Sequence, residues 1–404
     1  MGSKSICLYF QVHQPDRLRQ FRFFDIGGSG AYFDEFANRT ILRRVADRCY
    51  LPANALIEDL IKKNGKKFKV AYSISGVFLE QAAKYAPEVI ESFKSLAKTG
   101  CVEFLAETYA HTLASLADTA EFKSQVKLHA KTIENLFGVK PVTFRNTELI
   151  YSDKIGTDVA DLGFNTMITD GAKHILGWKS PNYVYTNPAA PKLKLLLKNA
   201  ALSDDIAFRF SDRGWEGWPL DAGKFAAWVA KALEKDDTVN LFMDYETFGE
   251  HQRQDSGIFD FLAALPQAMK TYPEIDFRTP CEVAKVHQPV APMHVPFPIS
   301  WADEERDTSA WLGNELQNEA FNKLYALSKL VNKLKDEEYL NTFRKLQESD
   351  HFYYMCTKFF SDGAVHSYFN PYDTPYEAFI NYMNVLSDFE IKVNEAINEK
   401  KKKK

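Results

Sequence analysis

The apolar positions of this chain fall into short runs that break off in polar residues, with helical stretches between them. Ser5–Val12 opens the series as a β-rich run ending in His13-Gln14-Pro15, and a strand that meets a proline has reached a loop. Leu51–Lys62 is helical in pattern. Lys67–Ser75 then reads as a second strand, and Gly76 begins a helix with Phe78, Leu79 and Ala82 on its apolar face. Pro87–Thr99 is a further helix, stopped by Gly100. Cys101–Ala106 is a third strand, which exits into Glu107, Thr108, Tyr109, Ala110 and His111. Ala120–Phe137 is long and amphipathic. Pro141–Glu148 reads as the fourth strand, Thr157–Leu162 as a helix, and Thr166–Thr169 as a fifth strand ending in Asp170-Gly171. Val184–Thr186, Leu193–Leu197 and Ile206–Phe210 add shorter β-like pieces, and Phe225–Leu233 is helical.

The stretch Asn240–His251, NLFMDYETFGEH, concentrates this pattern. Leu241, Phe242 and Met243 give way to Asp244, Glu246, Glu250 and His251, with Gly249 among them. An apolar run discharging into acids predicts a buried parallel strand followed by a loop. About seven such transitions between Ser5 and His251 predict βα units wound into a closed or nearly closed parallel barrel, with functional groups at the C-terminal strand ends. Pro289, Pro292, Pro296 and Pro298 crowd the stretch Lys285–Pro298 and mark a boundary. Beyond it Ser309–Leu346 and Pro375–Glu399 are strongly helical. The expected division is a catalytic barrel over 1–290 and an α-helical domain over 291–404 that contributes to the cleft.

Composition narrows the class. The chain has 404 residues, 45% of them hydrophobic, which supplies a sizeable core and exceeds most single compact domains. A net charge of −4 gives no global basic field for nucleic acid, and the Lys400–Lys404 run reads as a solvated tail. No apolar run reaches transmembrane length, and the N-terminus passes into a strand without a signal-peptide pattern, so no membrane partner and a cytoplasmic location are expected. The five cysteines, Cys7, Cys49, Cys101, Cys281 and Cys356, are scattered and form no CxxC, so reduced, buried thiols are expected. The 31 Phe, 19 Tyr and 6 Trp suit carbohydrate, whose C–H faces lie against aromatic rings.

Two acids stand at strand exits, Glu148 and Asp244, and a barrel would bring both to one rim. Cleavage of a glycosidic bond needs such a pair: one carboxylate attacks or stabilises the anomeric carbon, and the other gives and then takes a proton. A structural ion pair of Glu148 with Arg145 is the competing role.

Five stretches resemble, in order, the conserved regions of glycoside hydrolase family 57. They are HQP at His13–Pro15, EFLAETYAHTL at Glu103–Leu113, FRNTE at Phe144–Glu148, MDYETFGEH at Met243–His251 and SWADEERDTSAWLGN at Ser300–Asn314. DHFYYM and HSYFNPYDTPYEAF, nearer the C-terminus, resemble the α-amylase-type members. The resemblance implies an α/β fold, an incomplete seven-stranded (β/α) barrel followed by an α-helical C-terminal domain. It implies retaining chemistry on an α-glucan substrate, with no cofactor and no metal. By the same resemblance Glu148 is the nucleophile and Asp244 the general acid/base. His13 and Glu246 line the subsite around the scissile bond, and Glu107, His111 and Asp307 are further substrate contacts. Trp215, Trp218, Trp301 and Trp311 have faces able to stack on glucose, with core packing as the alternative for each; Trp301 and Trp311 are assigned to substrate.

The chemistry sets requirements on these groups. Glu148 must be ionised, so it needs donors; Arg145 is a candidate, although an odd spacing puts it on the opposite strand face unless the strand ends before Glu148. Asp244 must hold a proton near neutral pH, which burial and the Glu148 charge would favour. A 4-α-glucanotransferase would use the same pair, and the shape of regions two and five favours an α-amylase. A metal-dependent carbohydrate enzyme would draw on His13, Asp170, His174 and His251, but no tight ligand pair stands at a strand exit. A non-catalytic α-glucan-binding protein is the third class.

Overall fold

Buried apolar runs and amphipathic helices alternate along the chain because each parallel strand must cross back over a helix to reach its neighbour. The computed structural model describes residues 4–28, 30–358 and 369–402, so the start of the HSYFNPYDTPYEAF stretch and the last two lysines lie outside it. Ten strands form among the described residues: β1 (Lys4–Val12), β2 (Val70–Ile74), β3 (Val102–Phe104), β4 (Thr143–Arg145), β5 (Thr166–Asp170), β6 (Val184–Thr186), β7 (Lys194–Lys198), β8 (Thr238–Asp244), β9 (Ile275–Phe277) and β10 (Ala291–Pro292). They make two sheets, ordered β3-β2-β1-β8 with β9 beside the start of β1, and β10-β6-β7-β5-β4.

Seven strands, β1 to β5, β7 and β8, close most of a parallel barrel. Between the sheets, Ala106 bridges to Phe144 in parallel, with Ala106 N–H donating to the Thr143 carbonyl at 2.9 Å and Arg145 N–H to the Ala106 carbonyl at 2.8 Å. On the other side no ladder joins β7 to β8. Asn240 Nδ2 instead donates to the Leu197 carbonyl, and Asn199 N–H to the Asn240 carbonyl, each at 2.9 Å. The register sets Gln11 beside Asp244, Val12 beside Ile74 and Lys198 beside Asp170, so the C-terminal ends of β1, β2, β5, β7 and β8 reach one rim. This is the incomplete seven-stranded (β/α) barrel expected.

Three apolar clusters hold it. Tyr9, Ala71, Leu105, Ile168, Leu196 and Phe242 fill the barrel interior. A second cluster packs the outer faces of β1, β2 and β8 against the helices Leu51–Asn64, Pro87–Lys98 and Ala222–Ala232. A third runs from Phe144, Tyr151 and Met167 to Leu324, Leu346, Phe352 and Tyr382, so one continuous core joins the β4–β5 side of the barrel to the C-terminal helices. The long helix Pro375–Lys402 is the last of these. No helix of the described residues is long and apolar enough to cross a membrane.

Two expectations about the fold are corrected. Ile206–Phe210 is not β-like: Ile206 and Ala207 end the helix Ala200–Ala207, which starts where the Asn199 side chain accepts the Leu202 N–H. The fourth strand stops at Arg145, and Glu148 lies beyond it in a single 3₁₀ turn, Thr147–Leu149. All five cysteines are free, four buried and Cys281 half-buried.

Candidate active site

The rim opens into two adjoining hollows, of about 610 and about 690 Å³, which share Asp244, His251 and Trp301. The first is lined by Gln11, His13, His111, Arg145, Glu148 and Glu246, with Asp350 and Tyr354 from the C-terminal helices. The second is lined by Lys198, Asp204, Arg306 and Tyr353 among others.

Glu148 leaves the pleat of β4 by a backbone turn that L-residues rarely adopt. Its φ and ψ are 55° and 27°, Leu149 follows with φ 53°, and such conformations persist only where the surroundings impose them. Several bonds impose this one. Asn146 Nδ2 donates to the Ile150 carbonyl at 3.0 Å and to Ser115 Oγ at 2.9 Å, Thr147 Oγ1 pairs with Thr108 Oγ1 at 2.9 Å, and Trp301 N–H donates to the Glu148 carbonyl at 3.2 Å. The carboxylate is thereby aimed at two ring nitrogens. Trp301 Nε1–H reaches Oε2 at 2.7 Å, and His111 Nε2 lies 3.2 Å from Oε1. Two cations lie over the indole, Arg145 5.2 Å and Lys198 5.1 Å from its ring centre.

His111 also has a positive φ, 51°, and its Nδ1 lies 3.0 Å from Glu107 Oε2. Burial opposes charge on this ring, but the hydrogen bonds to Glu107 and Glu148 overcome it and raise the pKa from 6.5 to about 9. Burial likewise opposes ionisation of Glu107, and the His111 bond and the charges of His111, His129 and Arg145 bring it down to about 2. Arg145 is fully buried, with its Nη1 4.0 Å from Glu107 Oε2. His13 stacks on His111, with ring centres 4.1 Å apart and planes at 18°. Its Nδ1 lies 2.7 Å from Ser75 Oγ and its Nε2 3.0 Å from Asp350 Oδ2.

The exit of β8 has the opposite character. Asp244 is half-buried at the strand end, and the turn Tyr245–Thr247 places Glu246 beside it. Burial first, and then the Asp244 charge, push Glu246 up to about 8, while Tyr50 O–H donates to its Oε1. Glu250 turns away from the cleft to Arg44 at 3.0 Å and Arg48 at 3.5 Å. Gly249 is required between them: at φ 110°, a Cβ would stand 1.9 Å from the Arg48 carbonyl oxygen.

Of the residues singled out in the sequence, the structure gathers His13, Glu107, His111, Glu148, Asp244, Glu246 and Trp301 into one constellation. It does not bring Trp311 there. That ring is fully buried and packs on Tyr353, so neither face is open to a sugar. Asp307 accepts hydrogen bonds from Ser309 N–H at 2.8 Å and from Ser309 Oγ–H, and so shapes the loop that carries Trp301. Trp215 packs against Trp228. The residues that sequence reasoning missed are Gln11, Lys198, Arg306, Asp350 and Tyr354. Lys198 could have been found as the polar exit of an apolar run, and Asp350 lies in the DHFYYM stretch.

His13, Asp170, His174 and His251 are not drawn together. Among the described residues only His13, Glu348 and Asp350 bring ligand-type atoms within 4.8 Å of one another. These already serve each other and the backbone: His13 bonds Asp350, and Glu348 Oε2 accepts the Asp16 N–H at 2.7 Å.

Residues 7–296 match the family model described as glycosyl hydrolase family 57. The Methanocaldococcus jannaschii protein named "Putative alpha-amylase" is 43% identical over 408 residues, covering 97% of this chain and 85% of its own length. The crystal structure of 4-alpha-glucanotransferase from Thermococcus litoralis superposes with a TM-score of 0.67 at 15% identity, over 87% of this chain and 56% of that one, so this chain spans little more than half the transferase's length. The alpha-amylase AmyC from Thermotoga maritima superposes with a TM-score of 0.61 at 13% identity, over 99% of this chain and 95% of that one. At these identities the two structures establish the fold.

Proposed function

The chain belongs to glycosyl hydrolase family 57, and on that premise we propose that it is a retaining α-amylase cleaving internal α-1,4 bonds of an α-glucan. The observation that carries the reading is the contrast between two carboxylates on one cleft. Glu148 is held by an indole N–H and an imidazole, as an ionised nucleophile must be, and Asp244 stands beside a second acid, Glu246. A Glu148 oxygen attacks the anomeric carbon as Asp244 protonates the departing glycosidic oxygen, which leaves a glycosyl ester on Glu148. Asp244 then removes a proton from water, the water oxygen attacks the anomeric carbon, and the ester bond breaks with net retention. His13 and Glu246 border the reacting sugar in this reading. The second hollow, beyond Trp301, takes the neighbouring residues of the chain.

A 4-α-glucanotransferase differs only in what displaces the ester, a sugar hydroxyl rather than water. Products from maltoheptaose separate the two. Hydrolysis gives shorter oligosaccharides with reducing ends that rise over time, which is the expected result. Longer and shorter products with constant reducing ends would make the protein a transferase. Bound glucan without turnover would make it a binding protein.

A further inference from the structure

Both ring nitrogens of His111 face carboxylate oxygens, Nδ1 at 3.0 Å from Glu107 Oε2 and Nε2 at 3.2 Å from Glu148 Oε1. A neutral imidazole has one N–H and one lone pair, so it would aim a lone pair at one of the two carboxylates. A proton on either acid would also relieve that conflict, but a donor on the second oxygen of each stabilises the carboxylate over the neutral acid. Gln11 Nε2 donates to Glu107 Oε1 at 3.2 Å, and Trp301 Nε1 to Glu148 Oε2 at 2.7 Å. The extra proton therefore belongs on the ring. We propose that His111 is a positioning residue, an imidazolium strap between Glu107 and Glu148 that holds the nucleophile ionised and aimed, rather than a substrate contact. The proposal rests on the reading of Glu148 as nucleophile.

The charged and titratable groups facing this ring are consistent with one positive charge there. Glu107 and Arg145 border it from the exits of β3 and β4, and Asp350 reaches in from the helix Ser349–Tyr353. His13, stacked on it from just past the end of β1, stays neutral: burial and the His111 charge both lower its pKa, against the pull of Asp350. Two imidazolium rings stacked at this distance would repel, so the strap and a charged His13 exclude each other. The backbone of His111 is fixed as well. Its carbonyl accepts the Ser349 N–H at 3.0 Å, and Thr112 bridges to Glu348, so the C-terminal helices set the position of the ring.

The test reads the proton directly in the full chain. With histidine ¹⁵N-labelled, the imidazole nitrogens of the nine histidines are followed against pH, and His111→Asn identifies the signal. One ring should keep both nitrogens protonated above about pH 8, and in Glu107→Gln it should titrate about one pH unit lower or more. None of the nine rings remaining doubly protonated there would overturn the proposal, and that outcome needs no variant to fold. An unchanged titration in Glu107→Gln would overturn it too. In turnover of maltoheptaose, His111→Gln should move the acid limb of kcat/KM upward, because Glu148 loses its cationic partner. A uniform loss at every pH would mean a structural role only. A protonated His111 in a protein inert towards glucan would overturn the functional reading and leave the strap in place.

Discussion

The exits of β4 and β8 carry the same functional group and treat it in opposite ways. Around Glu148 the chain assembles ring nitrogens and cations: the Trp301 indole N–H, His111, and Arg145 and Lys198 over that indole. Beside Asp244 it places a second acid, Glu246, with the Tyr50 hydroxyl behind it. The backbones differ too. Glu148 sits in a left-handed turn pinned by side chains, whereas Asp244 continues a regular strand paired with Gln11. A carboxylate's role is set by the sign of its neighbours, and here the two settings face each other across one cleft.

The sharpest way to break the comparison is to remove each acid. Glu148→Gln should cut kcat/KM on maltoheptaose by about 10⁴-fold or more, since no ester can form. Asp244→Asn should cost about 10²- to 10⁴-fold, and much less on an aryl glycoside whose leaving group needs no proton. Equal losses on both substrates for the two variants would end the division of labour. A smaller effect tests the donors. Trp301→Phe keeps an aromatic ring beside Arg145 and Lys198 but deletes the N–H to Glu148. A hydrogen bond to a charged group contributes about 1.5–3 kcal/mol, so kcat/KM should fall roughly 10- to 100-fold.

The acid-rich exit can be read through stability. Glu246 titrates near 8 in the folded chain, against 4.5 for the free side chain. Between these values the native state holds a proton that the unfolded chain has released. The stability from this group is therefore complete below about pH 4.5 and is lost as the pH rises through about 8. Glu246→Gln cannot ionise, so the fall in melting temperature between about pH 5 and pH 8 should become shallower. A variant as pH-sensitive as the parent would place the loss elsewhere.

Most of this architecture was legible along the chain, for identifiable reasons. β1 and β8 are buried on both faces and so carry the apolar runs Ile6–Phe10 and Leu241–Met243, and their polar exits mark the rim. Ile206–Phe210 misled because its apolar residues close a helix whose start signal, Asn199, lies seven residues before Ile206. Both acids were legible as exits. The turn that lifts Glu148 out of the pleat was not, because it depends on Asn146, Thr108 and Trp301 acting from three separate segments. Asp350 was not assigned either: it reaches His13 from 337 residues away, and only tertiary packing specifies that pairing. The assignment of Trp311 to substrate failed because an aromatic in a conserved-looking stretch fits a core as readily as a sugar.

The smallest expected effect concerns the loop that delivers Trp301 to the donor-rich exit. The Asp307 carboxylate accepts from Ser309 N–H and Oγ–H, and its carbonyl accepts from Ser300 Oγ–H at 2.5 Å, so Asp307 braces both ends of the segment between Trp301 and the buried Trp311. Asp307→Ala removes the side-chain bonds and should lower stability by about 1 kcal/mol. Asp307→Asn keeps an acceptor oxygen and should lower it less. If bracing is the role of Asp307, KM for maltoheptaose stays at the parent value in both variants, and any loss of kcat follows the placement of the Trp301 indole. If Asp307 touches the sugar instead, KM rises in both, and the donor-rich exit extends one residue group further than the hydrogen bonds of Glu148 define it.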